Sequence, residues 1–175
     1  GTALGGSFTS FAGPGAGTHG LEARGGRQGL VGDWEIGLGS ATSQAGGFAQ
    51  AQFAWDDTTL DVGHWAFEYD YNAGTSEFRI WDAASGSRPS AATLMFDTLD
   101  RGNAIEVFAK RDAAIRITEL DGHATSFLVG DISNSDSETL ILQSAGFADG
   151  WTMKGTMDML SGSGSRQSVL IKAGA

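Results

Sequence analysis

The chain has 175 residues, of which 41% are hydrophobic, enough for one domain with a full core. Its formal charge of −10, with no run of Lys or Arg, disfavours nucleic acid and anionic membrane surfaces, because both would repel it. The absence of cysteine rules out disulfides and thiolate metal sites, and no apolar run is long enough to span a bilayer.

Residues 1–29 form a Gly/Ala/Ser/Thr-rich arm that opens on Gly1-Thr2, as expected where a signal peptide or a tag has been removed. Leu4, Phe8 and Phe11 are its large residues before Leu21. An arm so poor in apolar side chains does not repay its own ordering entropy. It is expected to order only by lying as an added strand on β-structure, either its own or a neighbouring subunit's. Gly15 to Gly20 matches G-x-G-x-x-G, but neither the preceding strand nor the following helix of a dinucleotide site is present.

Residues 30–175 read as the domain proper. Trp34, Ile36 and Leu38 alternate with Asp33 and Glu35, and Phe53 and Trp55 continue the face of Ala49 and Ala51. From Trp65 the odd positions Trp65, Phe67, Tyr69 and Tyr71 make an aromatic row, with His64, Glu68 and Asp70 on the opposite face. The run breaks at Asn72-Ala73-Gly74-Thr75, a hairpin sequence, and returns through Phe78 and Ile80. One register sets Tyr69 against Phe78, Phe67 against Ile80 and Glu68 against Arg79, satisfying both faces together. Further pairs follow at strand spacing: Leu94 and Phe96, Ile105 and Val107, Ile115 and Ile117, Phe127 and Val129, Leu140 and Leu142. Trp151, Met153, Met157 and Met159, with Gly155 in step, form a core stripe, and Val169 and Ile171 make the final strand. The 27 glycines fall between these runs. With roughly eleven short strands and no helical pattern, the chain predicts an antiparallel β-sandwich or jelly-roll.

Several of these segments carry a family likeness. G-D-W-E-I-G-L-G (Gly32 to Gly39), Q-F-A-W (Gln52 to Trp55), F-E-Y-D-Y-N-A-G-T (Phe67 to Thr75), I-E-V-F-A-K-R (Ile105 to Arg111), I-R-I-T-E-L-D-G (Ile115 to Gly122), G-W-T-M-K-G-T-M-D-M (Gly150 to Met159) and Q-S-V-L-I-K-A-G (Gln167 to Gly174) occur in that order. Over about residues 30 to 174 the chain resembles the bacterial choice-of-anchor W domain. That resemblance implies export and residence at the cell surface or outside the cell. It transfers no catalytic residue.

The residues themselves assign no catalysis. His19, His64 and His123 lie far apart, and no nucleophile-elbow, zinc-helix or phosphate-loop motif occurs. Glu68, Asp70 and Glu77 supply paired carboxylates, the minimum for glycoside hydrolysis, but a solvated face neutralised by Arg79 explains them more simply. Asp131, Ser133, Asp136 and Glu138, in an oxygen-rich loop, are the candidate calcium ligands; no other cofactor is expected. The function expected is non-catalytic and extracellular: a self-assembling subunit of a surface fibre, sheath or matrix. Copies would join head-to-tail through Leu4, Phe8 and Phe11. The alternative is a carbohydrate-binding or adhesion module in which Trp81 stacks on a sugar ring of a polysaccharide. His64, Glu68, Asp70 and Arg79 would then bond its hydroxyls.

Overall fold

The structure, a computed structural model, describes residues 5–9, 19–24, 35–40, 49–51, 55, 62–72, 74–85, 92–98, 104–110, 113–131, 137–159 and 168–174. Thirteen strands account for most of them: β1 Gly5–Thr9, β2 His19–Arg24, β3 Ile36–Ser40, β4 Ala49–Ala51, β5 Trp65–Tyr71, β6 Gly74–Asp82, β7 Ala92–Thr98, β8 Ala104–Lys110, β9 Ala113–Leu120, β10 His123–Gly130, β11 Ser137–Gln143, β12 Trp151–Met159 and β13 Ser168–Gly174. They form a seven-stranded sheet, ordered β1-β11-β8-β13-β2-β3-β4, and a six-stranded sheet, ordered β10-β9-β12-β5-β6-β7, with every pairing antiparallel. The all-β sandwich expected from the periodicity is the fold observed. Among the described residues no helix is long and apolar enough to cross a membrane.

The two sheets bring different chemistry to one core. The seven-stranded sheet contributes aliphatic side chains: Leu21, Ile36 and Leu38, then Ile105 and Val107, Leu140 and Leu142, Val169 and Ile171. The six-stranded sheet adds rings and thioethers to aliphatic residues of its own, Ile80, Ile115, Ile117, Leu120 and Val129. Tyr69 lies edge-on to Phe78 and Trp151 at 5.9 and 5.1 Å, and Tyr71 stacks on Trp151 at 5.2 Å. Strict alternation in β5 and β12 drives this, since every second residue of each is apolar and points inward.

The predicted hairpin holds residue for residue. Phe67 faces Ile80, Glu68 faces Arg79, and Tyr69 faces Phe78. It lies inside its sheet, flanked by β12 and β7. Gly155, on the inward row of β12, meets β9 at a bulge where the register slips between Lys154 and Gly155. There the Arg116 carbonyl occupies the space a Cβ would need. The turn from β9 to β10 uses Asp121 and Gly122 at φ 49° and 80°, the left-handed pair that the Asp-Gly sequence favours.

Residues 5–9 and 19–24 of the N-terminal arm belong to the sandwich. They are strands of the seven-stranded sheet: β1 at its edge, against β11, and β2 in its interior, between β13 and β3. Near β2, Trp55 is buried edge-on to Trp65 of β5 at 6.5 Å, and its indole N–H donates to the Arg24 carbonyl at 3.0 Å.

Candidate functional site

The two outer faces of the sandwich differ. On the seven-stranded sheet, Phe108 and Thr139 oppose each other on the side away from the core, yet are only 3% and 2% exposed. Lys172 and Ser168, on the outward row of β13, are buried as well. Burial pulls the Lys172 ammonium below its ordinary pKa, and Glu106 and Glu22 partly oppose the shift.

The six-stranded sheet leaves a mixed polar surface partly exposed. Cross-strand partners set out a row running Glu119, Lys154, Glu68, Arg79 over β9, β12, β5 and β6, with charges of alternating sign. Arg79 is its centre. Its Nη2 donates to Glu68 at 2.6 Å and reaches Asp70 at 3.4 Å, and its Nη1 donates to Glu77. Three carboxylates share one guanidinium, so the group carries net negative charge while both terminal nitrogens of Arg79 are engaged. Lys154 pairs with Glu119 at 3.3 Å at the other end of the row.

The adjoining row runs Arg116, Thr156, Ala66, Trp81. Trp81 is partly exposed; its cross-strand partner on β5, Ala66, is small, and so is Thr156 one strand further along the row. His64 stands at the far end of the face, four residues or about 13 Å along the strand from Glu68. Its ring stacks on Trp65 at 4.5 Å. Its Nδ1 is 3.7 Å from the buried Asp158 and its Nε2 is 3.8 Å from Asp82, both beyond hydrogen-bond reach. Asp158 instead accepts from the Met159 N–H at 2.8 Å.

The structure thus gathers Glu68, Asp70, Glu77 and Arg79, as the hairpin register read from the sequence predicts. It sets Trp81 beside them and gives His64 different neighbours. Lys154, Glu119, Arg116 and Thr156 were not foreseen. The Met153/Gly155 alternation turns Lys154 outward, but nothing in β12 announces β5 and β9 as its neighbours.

The oxygen-rich loop is only partly described. Ser133 and Asp136 lie outside the described residues, and Asp131 is exposed. Glu138 accepts from the Gly130 N–H at 3.1 Å and so joins the two ends of the loop. Among the described residues no group of three or more His, Asp or Glu is placed to hold a metal ion. Of the predicted assembly residues, Phe8 lies on β1, where its backbone faces Leu140 of the same chain. Leu4 and Phe11 lie outside the described residues.

No protein-family model matches the chain, and no curated protein matches it. The likeness to the choice-of-anchor W domain therefore rests on the strand motifs themselves.

Proposed function

We propose that this domain is a non-catalytic binding or adhesion module that acts outside the cell and takes a polysaccharide on the outer face of its six-stranded sheet. The observation that carries the reading is the contrast between the outer faces: one has Phe108, Thr139, Ser168 and Lys172 buried along it, the other presents Trp81 beside the Arg79 cluster. A flat, partly exposed indole beside the small Ala66 gives a pyranose ring a surface to stack on. The carboxylates around Arg79 retain oxygen lone pairs that accept hydrogen bonds from sugar hydroxyls. With Arg79 engaged by three carboxylates, the face favours neutral glycans over uronate- or sulfate-bearing ones. Residence outside the cell is what the family resemblance implies.

Retention of the protein on neutral polysaccharide beads tests the reading. Trp81→Ala should abolish retention while leaving far-ultraviolet circular dichroism and the unfolding midpoint near those of the parent. Equal retention of parent and variant, or none by the parent across a panel of neutral glycans, would overturn it.

A further inference from the structure

We propose that Gly5–Thr9 is an exchangeable strand, and that the β11 edge of one molecule also takes this strand from a second copy of the chain. The site for it is already formed. Among the described residues β1 is an outermost strand with one neighbour in its sheet, β11, which it meets from Gly5↔Gln143 to Thr9↔Thr139. β11 is fixed independently: its other edge is paired with β8 over all seven residues, and Leu140 and Leu142 are anchored in the core. If β1 leaves, β11 becomes a free edge with its geometry intact, the kind of template that captures an extended segment.

The second observation is the reach of the connection. Four antiparallel steps separate β1 from β2, so the two run parallel. Thr9 lies in one cross-sheet row with Thr139, Phe108, Leu170 and Glu22, whereas Gly6 shares its row with Leu142, Ile105, Ala173 and His19. From Thr9 the chain must therefore cross four strand spacings, about 19 Å, and step back three residues, about 10 Å, a straight line of about 22 Å. From 9 to 19 there are ten steps, which reach about 33 to 36 Å when fully extended. Parallel strands are ordinarily joined by a crossover of about a dozen residues or more. Here nine residues, 10–18, separate the two strands in sequence, and β11, β8 and β13 lie between them in the sheet. Pairing within one chain is within reach but spends most of the available length, and short hinges under such restraint favour exchange between copies. The five backbone pairs are the same whichever molecule supplies the strand, so exchange costs association entropy and releases the restraint on the connector.

Connector length tests this directly. Deleting Gly13, Pro14, Gly15 and Ala16 leaves six steps, about 20 to 22 Å, no longer than the straight line. The shortened chain should sediment as an oligomer that persists through tenfold dilution. A chain lengthened by eight Gly/Ser residues at the same point should be monomeric. Because the protein has no cysteine, Ser7→Cys on one population and Ile141→Cys on another, at register partners, report the source of the strand. Mixed at high concentration at the natural connector length, the two single variants should give an interchain disulfide on a non-reducing gel. A monomeric shortened chain would overturn the proposal. So would the absence of that interchain disulfide from the natural-length mixture, an outcome that can be read even if the shortened chain fails to fold.

Discussion

Replacing Tyr69 with Phe should stabilise the protein. Tyr69 is fully buried, enclosed by Tyr71, Phe78 and Trp151 at ring separations of 6.1, 5.9 and 5.1 Å. Among the described residues its hydroxyl makes no hydrogen bond. A buried donor left unsatisfied costs about 1 to 3 kcal/mol, while the ring contacts survive in Phe. Against this stands the small void left by one oxygen, so the net gain is about 1 kcal/mol. For a domain of this size that is about 2 to 4 °C in Tm. Urea unfolding followed by tryptophan fluorescence should show a higher midpoint at unchanged slope. A second signature comes from titration. Burial, and then the neighbouring Tyr71, raise the Tyr69 pKa well above 10.0. Once the pH passes the unfolded value, the unfolded chain gives up that proton and the native chain keeps it. Stability should therefore fall as pH rises from about 10 toward the raised native value. Tyr69→Phe should remove that part of the alkaline loss and leave stability at lower pH offset by a constant. A midpoint lowered by the equivalent of 1 kcal/mol or more would refute the reasoning, because it would mean that the hydroxyl is bonded in the folded protein.

Two further substitutions probe the sheet. Gly155→Ala should destabilise by about 1 to 3 kcal/mol, since its methyl group meets a backbone carbonyl that cannot swing aside; thermal unfolding by circular dichroism measures it, and an unchanged Tm would mean that the β9 bulge absorbs the methyl. Arg79→Ala should cost about 1 to 2 kcal/mol by leaving three carboxylates facing one another. Adding Glu77→Gln should recover part of that loss, and strict additivity in the double-mutant cycle would argue against a coupled cluster.

The β5–β6 hairpin was legible because two independent patterns, the aromatic row and the Glu68/Arg79 pair, select the same register. β2 was not. Only Leu21 and Ala23 alternate there, and Gly20 looks like leader composition; its role is a close approach, since a Cβ on Gly20 would strike the Ile171 carbonyl. What makes His19–Arg24 a strand is the pair of neighbours it lies between, which no local pattern encodes. Trp55 reaches the same core that Ala51 packs against, as the alternation predicts, but the bond from its indole to Arg24, thirty-one residues away in sequence, has no local signature. The site was half readable for the same reason. Residues within one hairpin could be placed opposite each other, while Lys154 and Glu119 entered through strand pairings that join distant segments.

The position of β13 sets when this protein can fold. The final strand lies between β8 and β2, so without Ser168–Gly174 the larger sheet is two fragments, β1-β11-β8 and β2-β3-β4, with nothing to bridge them. A nascent chain must therefore emerge nearly to residue 174 before these two fragments can join. Until then the larger sheet remains open to chaperones and proteases.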